Sequence, residues 1–167
     1  MPDPMKVVVI DDDPGACVFL KRIIEKAGSV SVMTTTDSKT ALALCIREKP
    51  GLIILDNVMP EVKGAELAKS LRKNAGTRKI PIIMVTGKGE MVYLLEKEKF
   101  EWRPNTPIVN TRGELAEHKN NLSLPEAYGV DHYFSKPVNT QKFLAVVTSL
   151  LAIYQKKQEL DEWKWYQ

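Results

Sequence analysis

The sequence predicts a doubly wound α/β fold, a five-stranded parallel sheet covered by helices on both faces, and three observations predict it. Three short runs, Val7–Ile10 (VVVI), Leu52–Leu55 (LIIL) and Ile82–Val85 (IIMV), are apolar throughout and show no alternation. Strands buried on both faces read this way, and they belong to parallel sheets. Between the runs, apolar residues recur at helical spacing. Strands alternating with helices build right-handed βαβ units. With two further short strands the expected order is the flavodoxin-like 2-1-3-4-5.

Each element has its own signal. After the first strand, Ala16, Leu20, Ile23, Ile24 and Ala27 share one helical face; Asp13 can cap that helix, Pro14 suits its first turn and Gly28 can stop it. Val30–Met33 reads as the second strand. Ser38–Lys49 reads as the second helix, with Ala41, Leu42, Cys45 and Ile46 inward. The third helix spans Ala65–Lys73, with Leu67, Ala68 and Leu71 inward. Val130–Phe134 is the last strand. A long helix from Thr140 carries Phe143, Leu144, Val147, Leu150, Leu151 and Tyr154 at helical spacing.

Composition narrows the function classes. With 167 residues, 44% hydrophobic and 27% charged, the chain can bury a real core and suits one domain with a modest elaboration. A net charge of +3 gives no argument for a nucleic-acid partner. No apolar run approaches the roughly 18 residues of a membrane span. The N-terminus MPDPMK lacks a signal-peptide pattern, and Cys17 and Cys45 fall in apolar-periodic segments. The expectation is a cytoplasmic protein with two buried free thiols and no membrane partner.

In such sheets ligands bind beyond the carboxyl ends of the strands. There stand Asp11, Asp12 and Asp13 after the first strand, Asp56 after the third, Thr86 after the fourth, and Ser135, Lys136 and Pro137 after the fifth. Crowded carboxylates repel, and a hard divalent cation relieves the conflict. Lysine supplies a point charge, and threonine a hydroxyl donor, for phosphoryl oxygens. An aspartate that attacks phosphorus becomes an aspartyl phosphate. Phosphoryl transfer rests on positioning and on neutralising charge. Asp56 as nucleophile, Asp11 and Asp12 as metal ligands, and Lys136 and Thr86 as phosphoryl ligands form a complete set. Asp13 is better used as a helix cap. His118 and His132 lack paired ligand spacing, and TGKGE (Thr86–Glu90) lacks the P-loop pattern.

VVVIDDDP, LIILDNVMPEVKG, IIMVTG and YFSKPV, in that order, resemble the successive motifs of response regulator receiver domains. Asp56 and Thr86 are 30 residues apart, as in an ordinary receiver. The resemblance covers residues 5–87 and about 122–154. It implies that Asp56 accepts phosphate from a histidine kinase or phosphotransfer protein. It implies that Mg²⁺ (or Mn²⁺) is held by Asp11, Asp12, Asp56 and the backbone carbonyl of Val58. Pro137 would follow a cis peptide that helps place Lys136. Tyr133 occupies the family's switch-aromatic position and would turn inward as Thr86 moves toward the phosphoryl group; plain core packing is its other reading. In LIILDNVMPEVKG, Pro60 restricts the return loop and Gly64 can adopt positive φ or precede the next helix. The apolar Val58 cannot orient a hydrolytic water, so slow self-dephosphorylation is expected.

One departure is large. Thr86 and Lys136 stand 50 residues apart, about twice the family's usual spacing. The receiver is therefore expected over 1–154 with an insertion at about 88–121, and 155–167 as a helix extension or tail. Glu90–Trp102 reads as a helix or a hairpin arm, Thr111–Asn121 as holding a short helix, and Leu124–Tyr128 as a short fourth helix. Insertion and tail, the latter bearing Trp163, Trp165 and Tyr166, are expected to set the choice of downstream protein target or to form a homodimer. The main alternative is a pseudo-receiver that binds proteins without phosphorylation. A haloacid-dehalogenase-like phosphatase would carry its nucleophile on the first strand, and a flavin carrier would find its phosphate repelled by the acidic first loop.

Overall fold

The structure, a computed structural model, describes residues 4–87, 100–101, 109–110 and 129–163. In chain order its elements are β1 (Met5–Ile10), α1 (Pro14–Ala27), β2 (Val30–Thr35), α2 (Ala41–Glu48), β3 (Leu52–Leu55), α3 (Gly64–Lys73), β4 (Ile82–Gly87), β5 (Phe100–Glu101), β6 (Val109–Asn110), β7 (His132–Lys136) and α4 (Thr140–Trp163). The main sheet is parallel with order β2-β1-β3-β4-β7, which is the order expected from the sequence.

The unbroken apolar runs divide cleanly between two cores, because successive side chains of a strand leave opposite faces. On one face Val8, Ile10, Ile53, Leu55, Ile82 and Met84 meet Ala41 and Cys45 of α2 and Leu67, Ala68 and Leu71 of α3. On the other, Val7, Val9, Leu52, Ile54, Ile83 and Val85 meet Cys17, Leu20 and Ile24 of α1 and Phe143, Val147 and Leu151 of α4. The edge ring Phe134 stacks edge-on to Phe143 at 5.3 Å. No helix among the described residues is long and apolar enough to cross a membrane.

Several local expectations shift. Cys17, not Ala16 or Ala27, anchors the start of the buried stripe of α1, and Ala27 is exposed. The second helix begins at Ala41, not Ser38. Asp37 Oδ1 accepts a hydrogen bond from Lys39 N, and this Asx turn holds residues 37–40 outside the helix. Ile46 lies one residue round from the Ala41–Cys45 line and is exposed. The last strand starts two residues later than expected and includes Lys136. The last helix runs past Tyr154 to Trp163. Phe100–Glu101, near the end of the Glu90–Trp102 stretch, pairs antiparallel with Val109–Asn110, and the rest of that stretch lies outside the described residues. His118, the helices expected within Thr111–Asn121 and Leu124–Tyr128, and Trp165 and Tyr166 lie outside the described residues.

Both thiols are free and buried. Burial pushes the Cys45 thiol up to about 12 from its ordinary 9.0. The unfolded chain therefore loses this proton first as pH rises, and the contribution of Cys45 to stability falls from about pH 9.0 upward. We expect Cys45 to resist alkylation by iodoacetamide in the native protein at mildly alkaline pH and to react fully in denaturant. Mass mapping of the labelled peptide gives the measurement, and rapid native labelling would contradict the buried placement.

Candidate functional site

Strand register builds the site. Ile10 and Leu55 are partners across β1 and β3, so the next residues, Asp11 and Asp56, leave the sheet side by side. Asp56 N donates to Ile10 O at 2.9 Å, and Asp11 N to Thr35 O at 3.2 Å. These bonds tie each carboxylate-bearing residue to the neighbouring strand. On the other flank Thr86 pairs with Ser135, and Gly87 with Lys136. Thr86 thus sits inside β4, one residue before its end, not beyond it.

Asp11 is 2% exposed, Asp56 6% and Thr86 0%, whereas Asp12 is exposed. Lys136 Nζ donates to Asp11 Oδ2 at 2.7 Å and lies 3.4 Å from Asp56 Oδ1. Burial works against the charge on Lys136. The hydrogen bond to Asp11 and the charges of Asp56 and Asp11 outweigh it and raise the ammonium pKa. Carboxylate oxygens of Asp11, Asp12 and Asp56 lie within 4.8 Å of one another. Three hard oxygen donors at this spacing suit a small divalent cation. Asp13 caps α1, its Oδ1 accepting from Gly15 N at 2.8 Å, and its own N–H donates to Asp11 Oδ1 at 3.0 Å. Asp13 therefore orients Asp11 through its backbone.

The remaining candidates are more dispersed. Val58 is 48% exposed at the mouth of the β3–α3 loop. Tyr133 lies near the start of β7, half-buried against the α2/α3 core, and not at the carboxylate end. The Lys136–Pro137 peptide bond is cis.

Besides Pro60 and Gly64, the loop that carries Asp56 is held by residues to which the sequence analysis gave no role in it. Asn57, buried, accepts from Ala65 N on Oδ1 at 3.2 Å and from Gly64 N on its carbonyl at 2.8 Å. Buried Ser38 donates to Pro60 O at 2.6 Å and accepts from Val62 N at 3.3 Å. Glu61 adopts φ 72° and pairs with Lys39 at 2.6 Å. Gly64 does not take positive φ; among the described glycines only Gly129 does. Its reason is close approach, since a Cβ at Gly64 would lie 2.2 Å from Asp56 O and 2.7 Å from Asn57 Cα. Pro60 and Gly64 are the sequence signals for this loop; nothing local in the sequence singles out Asn57 or Ser38.

Comparison with known proteins bears on the family and the fold. Residues 7–101 match the response regulator receiver domain. The alkaline phosphatase synthesis transcriptional regulatory protein PhoP of Bacillus subtilis is 36% identical over 128 residues, 73% of this chain and 52% of PhoP. Protein PilH of Pseudomonas aeruginosa is 26% identical over 147 residues, 88% of this chain and 98% of PilH. The chain spans about half or less of the length of several curated relatives it matches, and nearly all of PilH. Among solved structures, the chemotaxis protein CheY4 of Vibrio cholerae superposes with a TM-score of 0.62 over 88% of this chain and 98% of CheY4. At 23% identity that likeness speaks for the fold alone. With a family match over more than half its length, and with the parallel order and acidic strand ends described above, the chain belongs to the response regulator receiver domain family.

Proposed function

We propose that this receiver is a phosphoacceptor: Asp56 takes a phosphoryl group from a histidine kinase or a histidine phosphotransfer protein. A carboxylate oxygen of Asp56 attacks phosphorus, an O–P bond forms as the P–N bond to the donor imidazole breaks, and that imidazole leaves with a proton. The observation that carries the reading is the Lys136 ammonium within reach of both Asp11 and Asp56. A cation held there can follow the charge from the carboxylate to the new phosphoryl oxygens. Asp11, Asp12, Asp56 and the Val58 carbonyl would hold Mg²⁺ (or Mn²⁺). When bound, the ion neutralises the acidic cluster and the incoming phosphate. Thr86 donates its hydroxyl to a phosphoryl oxygen, and Tyr133 is the aromatic whose packing responds.

Output is control of protein binding by this modification. Residues 1–154 form the receiver, with the insertion at about 88–121 and the extension over 155–167 selecting the downstream target or a second copy. The support for an extension is the continuation of α4 to Trp163.

Incubation with a small acyl phosphate and Mg²⁺ should add one phosphoryl group to the wild-type protein by intact mass. Asp56→Asn should add none. An unmodified wild type would leave the pseudo-receiver reading, a binding module independent of phosphate.

Gly64→Ala should cut phosphoryl acceptance by roughly ten- to a hundredfold, because its Cβ must displace the Asp56 carbonyl and the Asn57 backbone that follows it. Circular dichroism should show the sheet retained, and an unchanged rate would contradict the close approach.

Exposed Val58 offers no hydrogen bond to an attacking water. The phosphorylated protein should lose phosphate slowly, and Val58→Asn should lose it faster. Equal decay of the two proteins, followed by mass over time, would remove Val58 from consideration.

A further inference from the structure

Among the described residues β7 is an edge strand, bonded to β4 alone. It begins 45 residues after the end of β4, at His132, so no short turn sets its register. Register matters here because β7 carries Lys136. A slip of one residue would move Lys136 by about 3.3 Å along the sheet and turn it to the opposite face.

The start of β7 is gripped instead from α3. Arg72 Nε donates to Gly129 O at 2.8 Å. Nη1 donates to Ile80 O at 2.6 Å and to Arg78 O at 3.0 Å, and Nη2 donates to Asp131 Oδ2 at 2.9 Å. The same Asp131 oxygen accepts from Ile82 N at 2.7 Å, while Asp131 N donates to Ile82 O at 2.8 Å. One guanidinium thus joins the approach to β4 and the approach to β7, immediately below the first rung, Ile83 to His132. Gly129 makes room for it. Its φ is 72°, and a Cβ there would lie 2.9 Å from Arg72 Cγ. Only a planar fork with five N–H donors reaches all these acceptors at once.

We propose that Arg72 is a positioning residue for Lys136: by clamping Gly129 and Asp131 to the head of β4 it sets the register that delivers the lysine to Asp11 and Asp56. This rests on the reading of Lys136 as the cation of the phosphoacceptor site. It assigns Arg72 no contact with phosphate.

The test is a cycle of variants followed by the rate of phosphorylation from a small acyl phosphate, at temperatures where each protein is folded. Arg72→Met should slow the reaction roughly tenfold. Arg72→Lys should slow it similarly, because a point charge cannot span the carbonyls. In a Lys136→Ala background, Arg72→Met should cost less than about twofold, since the residue it acts through is already gone. Equal slowing in both backgrounds would reduce Arg72 to general stability, and no slowing in the wild-type background would also overturn the proposal. Where Arg72→Met does not fold, Asp131→Ala replaces it in the same cycle. If the wild type accepts no phosphate, the functional reading fails, and amide hydrogen exchange then decides the clamp. Arg72→Met should speed exchange at residues 132–136 while leaving β1 and β3 protected; unchanged exchange in β7 would refute it.

Discussion

Asp11 and Asp56 are almost sealed from solvent, and the Lys136 ammonium stands within 3.4 Å of both. Two buried like charges repel, and each has given up hydration worth several kcal/mol. A cation on a third element answers both costs at once. Replacing such a cluster by apolar side chains is often neutral or stabilising. Its presence at the end of a well-packed apolar sheet is thus poorly explained by folding and well explained by chemistry. The rest of the carboxyl edge is arranged around this cluster: Asp13 steadies Asp11, and Asn57, Ser38 and Gly64 fix the loop beyond Asp56.

The scaffold suits this demand because the strands at the centre of the sheet have no solvent face. Each contributes to both cores, so a strand cannot rotate or slide without dismantling two packings. Groups at the ends of β1 and β3 inherit that rigidity. β7 does not share it fully, being an edge strand with half-buried side chains. The Arg72 network therefore sits at the start of an edge strand, the one that carries the Lys136 ammonium.

Membership of the receiver family and an enlarged separation between Thr86 and Lys136 are compatible for the same reason. The site draws only on strand ends, and β4 and β7 pair in register although much chain lies between them.

Much of this could be read from the chain before any coordinates. Unbroken apolar runs such as Leu52–Leu55 announce strands covered on both faces, and a carboxylate closing such a run announces where a ligand would approach. Those signals are local and periodic, and they sufficed for the strand order and for the grouping of Asp11, Asp12, Asp56 and Lys136. What needed the tertiary structure was every feature that depends on distance between segments remote in sequence. Gly64 is required by the neighbouring Asp56 carbonyl rather than by its own φ. Ser38 leaves the second helix to hold Pro60, and Arg72 reaches 57 residues along the chain to Gly129. Side-chain periodicity encodes which face is buried; it carries no record of which remote backbone atom will lie against a given residue, and that is settled only when the strands pair.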